Sequence, residues 1–187
     1  MFRTTIEFDN DRDVEVEQAT ISATVGYQLT TRVGLSGSVG AIVAGDVDFG
    51  ATGDVGRGIA GSISINYLPV FETDTRPFVS LSATVGAATA RPVGDDDLRH
   101  RWTAVDVRIG AMIGKTLWQR IVPFVAARGF GGPVRWTLGG EKVTGSDAHH
   151  YSVGGGALYQ VPGSFSVFVE LLALGEHSAS AGASVAF

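Results

Sequence analysis

Apolar and polar residues alternate one by one along most of this chain. In residues 17–29 one set of positions holds Ala19, Ile21, Ala23, Val25, Tyr27 and Leu29, and the other holds Gln18, Thr20, Ser22, Thr24, Gly26 and Gln28. Successive side chains of a β-strand point to opposite faces, so a period of two predicts a strand with one apolar and one polar face.

The same alternation recurs along the rest of the chain and predicts nine strands. Besides 17–29, they cover residues 32–44, 59–67, 77–90, 101–113, 121–130, 149–161, 164–174 and 179–187. Residues 2–8, with Phe2, Ile6 and Phe8 on one face, can pair back onto the first of these strands. Because bacterial membrane barrels have even strand numbers, we predict ten strands, with eight as the alternative.

The composition of the polar face indicates a membrane barrel. The outer face of a soluble barrel or sandwich carries many Lys and Glu, whereas here the second face is mainly Gly, Ser and Thr. Only 18% of the residues are charged, below the roughly 25% of soluble domains. No apolar stretch reaches the ~18–20 residues of a membrane helix. We therefore predict one all-β domain, residues 1–187: a closed antiparallel up-and-down transmembrane β-barrel with its aliphatic face toward lipid.

Connection lengths differ between the two predicted ends of the barrel. One end has the shorter connections 30–32, 68–76, 114–120 and 162–164, while the other has 45–58, 91–100 and 131–148 beside the short 175–178. Aromatic residues predicted at the membrane interface of the first end are Tyr27, Tyr67, Trp118, Tyr159 and Phe187. A second aromatic girdle, including Trp102, Phe130 and Trp136, is expected near the other end.

Together these features resemble the small outer-membrane β-barrel proteins of Gram-negative bacteria. The resemblance includes the strand openings at Arg76-Pro77-Phe78-Val79 and Val122-Pro123-Phe124-Val125, and a last strand ending in Phe187. It implies a place in the bacterial outer membrane, contact with membrane lipid and lipopolysaccharide, and insertion by the barrel-assembly machinery. We expect a monomer without a cofactor. The net charge of −5 offers no basic surface for nucleic acid.

The first thirteen residues carry no apolar stretch of the kind found in a secretory signal peptide. We therefore expect the chain to be a mature form or to lack its natural N-terminus. The absence of cysteine suits an exported chain but does not identify its compartment.

Four charged residues interrupt the polar faces in the middle of predicted strands: Asp106, Arg108, Arg128 and Glu170. Unpaired charges in a narrow lumen are costly, so we expect them to pair and plug the barrel. The other interpretation is a selectivity element in a narrow channel. A non-enzymatic barrel of structural, adhesion or narrow-channel type is therefore the first functional hypothesis.

Acidic residues and a histidine in the predicted loops support a second hypothesis. Asp46 and Asp48 end one strand, and Asp147 and His149 begin another. This arrangement is similar to that of the omptin proteases, ten-stranded barrels in which an Asp pair and an Asp–His pair activate water. The resemblance implies a membrane-embedded hydrolase with His149 as general base.

A lipid-A-modifying enzyme is a further form of the hydrolase hypothesis. Glu176, His177, Ser178 and Ser180 supply the residue types that lipid A deacylases use, although not with their spacing. The enzymatic alternatives rest on short motifs, so the sequence favours the non-enzymatic barrel.

Overall fold

The computed structural model describes residues 2–8, 12–48, 52–54, 56–90, 101–138, 141–162 and 164–185. Its regular structure is all β. The strands are β1 (Phe2–Phe8), β2 (Arg12–Gln28), β3 (Val33–Asp48), β4 (Thr52–Asp54), β5 (Gly58–Val70), β6 (Phe78–Ala90), β7 (Arg101–Gly114), β8 (Ile121–Gly131), β9 (Val134–Leu138), β10 (Glu141–Asp147), β11 (Tyr151–Gln160), β12 (Phe165–Gly175) and β13 (His177–Val185). Within these ranges, no helix is long and apolar enough to cross a membrane.

The strands form a closed, ten-stranded antiparallel barrel with up-and-down order, as predicted. Its wall consists of β1, β2, β3, β5, β6, β7, β8, β11, β12 and β13. The ring closes where Phe2 and Arg3 of β1 pair with Ser178 and His177 of β13. Strands β4, β9 and β10 extend the wall at the end with the long connections.

Over most of the barrel, the aliphatic residues face outward and are exposed. We call this zone the belt; it includes Ile21, Val25, Val39, Ile63, Val85, Val107, Ile109, Val125, Val169 and Leu171. Ile63 is 66% exposed, whereas its neighbours Ser62 and Ser64 face the lumen and are half-buried. The orientation predicted from the alternation is therefore correct for this strand, since its aliphatic residues face outward and its hydroxyls face inward.

Toward the end with long connections, the two faces exchange polarity. In β2, Val14 and Val16 are buried inside the barrel, while Glu15 and Glu17 lie on the other face. We call this zone the collar. The residues buried within it, the collar core, are Ile6, Val14, Val16, Ile42, Ala90, Trp102, Val134 and Trp136. The inner face of β2 thus changes from serine and threonine at the level of the belt to valine inside the collar.

Three aromatic residues expected in the second girdle are buried inside the barrel instead. Trp102, Phe130 and Trp136 are buried, with 9%, 6% and 2% of their surfaces exposed, so they are not interfacial. Trp102 has the same parity along β7 as the lumen residue Arg108, and it therefore points inward. The prediction of a girdle from these residues was wrong.

Residues 131–148, expected to be a loop, contain a β-hairpin formed by β9 and β10. Strand β9 replaces β8 as the neighbour of β7 in the collar, and β10 pairs with β1. The break between β8 and β9 falls at Gly132, where an added Cβ would lie 1.8 Å from the backbone oxygen of Val105. The eight strands that surround the collar core are β1, β2, β3, β5, β6, β7, β9 and β10.

Candidate functional site: the charged cluster in the lumen

Arg108 lies at the centre of the lumen and holds together several elements of the wall. Its guanidinium pairs with Asp106 on the same strand and donates a hydrogen bond to Glu176 Oε1 at 3.3 Å. The guanidinium carbon lies 4.9 Å from the ring centroid of Phe130 and 6.0 Å from that of Phe2. A cation between two aromatic rings and two carboxylates is well compensated for the water it has lost.

A second ion pair lies on the neighbouring strands. Arg128 of β8 donates to Glu170 Oε2 of β12 at 2.6 Å, and the carboxylate of Glu170 is buried. Strand β11 separates β8 from β12, so the two side chains meet across the lumen face of β11. Gly156 of β11 lies opposite Glu170, and a Cβ added there would lie 2.7 Å from the ring of Phe124.

Arg108 lies between two small cavities. The upper cavity, about 260 Å³, is bordered by Asp106, Arg108, Asp147 and the collar core. The lower cavity, about 250 Å³, is lined by Ser and Thr hydroxyls together with Arg108 and Arg128. Each is large enough for several water molecules, at ~30 Å³ each. The side chain of Arg108 thus divides the polar part of the lumen, and the collar core closes its upper end.

Burial raises the pKa of two acidic groups at the upper end of the cluster. Burial raises the pKa of Glu176, in the turn between β12 and β13, to about 7, although Arg108 opposes this shift. Burial likewise raises the pKa of Asp147 in the collar, opposed by a hydrogen bond that Thr4 Oγ1 donates at 3.2 Å. Part of the charge of this cluster therefore changes near neutral pH.

The residues proposed for an omptin-like site are not brought together. Asp46 is exposed on β3, where it pairs in register with Glu17 and Asp54. Asp147 is half-buried on β10, and β1 and β2 lie between β10 and β3. His149 is exposed and lines a depression on the outer wall, and the side chain of Asp48 lies outside the described residues. Three strand spacings, about 14 Å, separate the two halves of the expected water-binding site.

The fold also separates the residues of the lipid-A-modifying candidate. Glu176 is 2% exposed and bonded to Arg108, whereas the adjacent His177 is exposed. Ser180 pairs in register with Glu170, further down the wall. The carboxylate of Glu176, which would have to orient His177 in such an enzyme, is therefore bonded to Arg108 in the lumen instead.

Aromatic residues predicted for the interface lie on the outside at the end with short connections. Tyr27, Tyr67, Trp118 and Tyr159 are all exposed, and Phe187 lies outside the described residues. Trp118 is 79% exposed in a turn where it and Gln119 have φ angles of 49° and 59°. Bulky residues rarely adopt this left-handed region, so the turn carries strain that holds the indole away from the wall.

Sequence reasoning missed two members of the cluster, Glu176 and Thr4. Glu176 meets Arg108 across 68 positions of sequence, and no local pattern indicates that contact. Among the described residues, no group of three or more His, Asp and Glu side chains is arranged to hold a metal ion. No family model matches the chain, and no curated protein shows significant similarity to it.

Proposed function

We propose that this chain is a bacterial outer-membrane β-barrel whose lumen is closed, and that it acts through its surface as a structural or adhesion protein. The observation that carries the proposal is the exposed aliphatic belt around a lumen filled by ion pairs and by the collar core. In water such a belt would be a large apolar surface, far beyond the few hundred Å² that monomeric proteins expose. In lipid the same apolar surface is stable, and the backbone is paired along the strands that have a neighbour on both sides.

The ends of the barrel support an orientation within the membrane. Exposed tyrosines and Trp118 surround the end with short connections, which in outer-membrane barrels faces the periplasm. The collar then projects from the opposite, extracellular side. Its outer face bears Arg3, Glu7, Glu15, Glu17 and Arg135, residues suited to water and to the headgroups of lipopolysaccharide.

A closed lumen distinguishes a structural barrel from a channel. Ions crossing the lumen would have to displace Arg108 from two carboxylates and then pass an apolar core containing two tryptophans. Both steps are costly, because the first leaves buried charges unpaired and the second removes the hydration of the ion. We therefore expect no stable conductance.

The test combines folding and conductance measurements on protein refolded in detergent. We expect the unheated protein to migrate differently from the boiled one on a detergent gel, and planar bilayers containing it to show no stable openings. The matched variant is Arg128→Ala, which removes one lumen charge without touching the collar core. Ion-selective openings in the unaltered protein that change in this variant would identify a channel instead.

A further inference from the structure

Near the end with short connections, the barrel wall has a gap one strand wide. Strand β1 pairs with β2 from Phe2 to Phe8, but with β13 only at Phe2 and Arg3. Below Phe2, no backbone pairing joins residues 20–28 of β2 to residues 180–185 of β13 among the described residues. Each stretch is paired on its other side, β2 with β3 and β13 with β12.

Exposure of the lumen face supports the gap: among the described residues, no strand covers the inner face at this place. In β5 and β6, the lumen-facing Ser62, Ser64 and Thr84 are half-buried. In β2, the corresponding Ser22 and Thr24 are exposed, although they alternate with belt residues in the same way. In β13, Ser180 and Ser184 are exposed as well. These hydroxyls face the lumen but lack the neighbouring strand that shields the others.

The two edges of the gap match each other in register and in chemistry. At the top of the gap, Phe2 lies between Gln18 and Ser178. Counting down equally from those two residues, Ile21 faces Ala181, Ala23 faces Ala183, and Val25 faces Val185, all on the outer face. The alternate positions, such as Thr20 with Ser180 and Thr24 with Ser184, are polar on both edges.

We propose that this gap is the binding site of one further β-strand, joined to β1 on its N-terminal side. That strand would be antiparallel to both β2 and β13, placing apolar residues on the belt and small polar residues in the lumen. The position of β1 is the direct argument for this occupant: β1 lies between β2 and β13 at the upper end of the gap, and the N-terminal end of β1 points down the gap.

The need for the strand comes from the membrane and therefore rests on the proposed function. Open strand edges at membrane depth leave N–H and C=O groups without partners, and lipid offers none. A strand that continues β1 satisfies both edges at once, and its tether makes the addition intramolecular. The occupancy of the gap can nevertheless be measured in detergent, apart from any membrane.

The first experiment measures the gap in the refolded chain with pairs of introduced cysteines, since the natural sequence has none. In the Ala23→Cys, Ala183→Cys variant, two strand spacings of about 10 Å should prevent a disulfide, which requires Cα atoms within ~7 Å. The control Ala23→Cys, Val39→Cys joins residues directly opposite each other on β2 and β3 and should oxidise readily. Oxidation of the first pair would show that β2 and β13 close on each other and would overturn the proposal. A disulfide-linked dimer of Ala23→Cys alone would assign the gap to a second copy, which also overturns it.

The second experiment supplies the strand. An eight-residue extension before Met1, with Val at positions that face the belt and Ser or Thr between them, should raise the melting midpoint by roughly 5 °C. The matched control exchanges the Val and Ser/Thr positions, which keeps the composition and reverses the two faces. Placed four residues before Met1 in the first extension, a cysteine should form a disulfide with Ala23→Cys. Equal midpoints for the two extensions, or no such disulfide, would refute the added strand. Failure of the extended protein to enter bilayers, with the disulfide present, would instead count against the proposed function alone.

Discussion

In β2, Glu15 and Glu17 share one face with Ile21 and Val25, yet the glutamates lie on the collar and the aliphatic residues on the belt. On the opposite face, Val14 and Val16 are buried, whereas Ser22 and Thr24 line the lumen. The backbone passes from one zone to the other without ending the strand. Under the proposed function, the surroundings of the outer face change here from water to lipid. The exchange of polarity near Gln18 therefore marks the expected upper boundary of the membrane.

The largest effect should come from removing a tryptophan of the collar core. Trp136 is 2% exposed, so Trp136→Ala should lower the free energy of unfolding by about 3–5 kcal/mol. The matched change Trp118→Ala, at a residue 79% exposed, should cost less than about 1 kcal/mol. Urea unfolding followed by gel migration measures both. Equal losses would show that the collar has no packed core of its own.

The next largest loss of stability should come from a charge placed on the belt. Ile63→Arg places a cation on its exposed face and should cost about 2–4 kcal/mol in a lipid bilayer. Ser146→Arg, exposed on the collar in register with Glu7, should be close to neutral. The comparison requires folding into lipid vesicles. A harmless Ile63→Arg there would mean that the belt faces water.

A smaller effect is a change of stability with pH, which arises from the acidic groups at the upper end of the lumen cluster. The pKa of Glu176 is raised by burial from its ordinary 4.5 to about 7, so between these values the folded protein holds a proton that the unfolded chain releases. The contribution of this group to stability is therefore fully present below about pH 4.5 and is lost as the pH rises through 7. The raised pKa of Asp147 acts in the same direction. Urea midpoints should fall between pH 5 and 8, and the fall should be smaller in Glu176→Gln. An identical pH dependence in the variant would remove Glu176 from this role.

The smallest effect concerns the turn at the end with short connections. Glycine adopts positive φ without strain, so Gln119→Gly should raise the free energy of unfolding by up to about 1 kcal/mol. It should leave binding to lipid vesicles unchanged, because Trp118 remains. A loss of stability in this variant would show that the side chain of Gln119 matters more than its backbone strain.

The ten strands of the wall could be predicted because each repeats the same alternation over many residues. Strands β9 and β10 could not, because Val134 and Trp136 give only a short alternation with their apolar side turned inward, opposite to the belt. The four lumen charges were predicted from their position on polar faces. The contact of Glu176 with Arg108 and that of Thr4 with Asp147 were not, because both depend on how the barrel brings distant strands together. The described residues of the hydrolase candidates lie apart for a related reason, since short motifs record neither the strand order nor the face.

Strand β1 has partners that come from both halves of the chain: β2 follows it directly, whereas β10 and β13 lie far downstream. A ribosome makes the chain from its N-terminus, so the first hairpin exists long before the strands that cover its other edge. An uncovered edge invites pairing with other nascent chains. The edge of β1 that pairs with β10 therefore lacks this partner until residue 147 has been made.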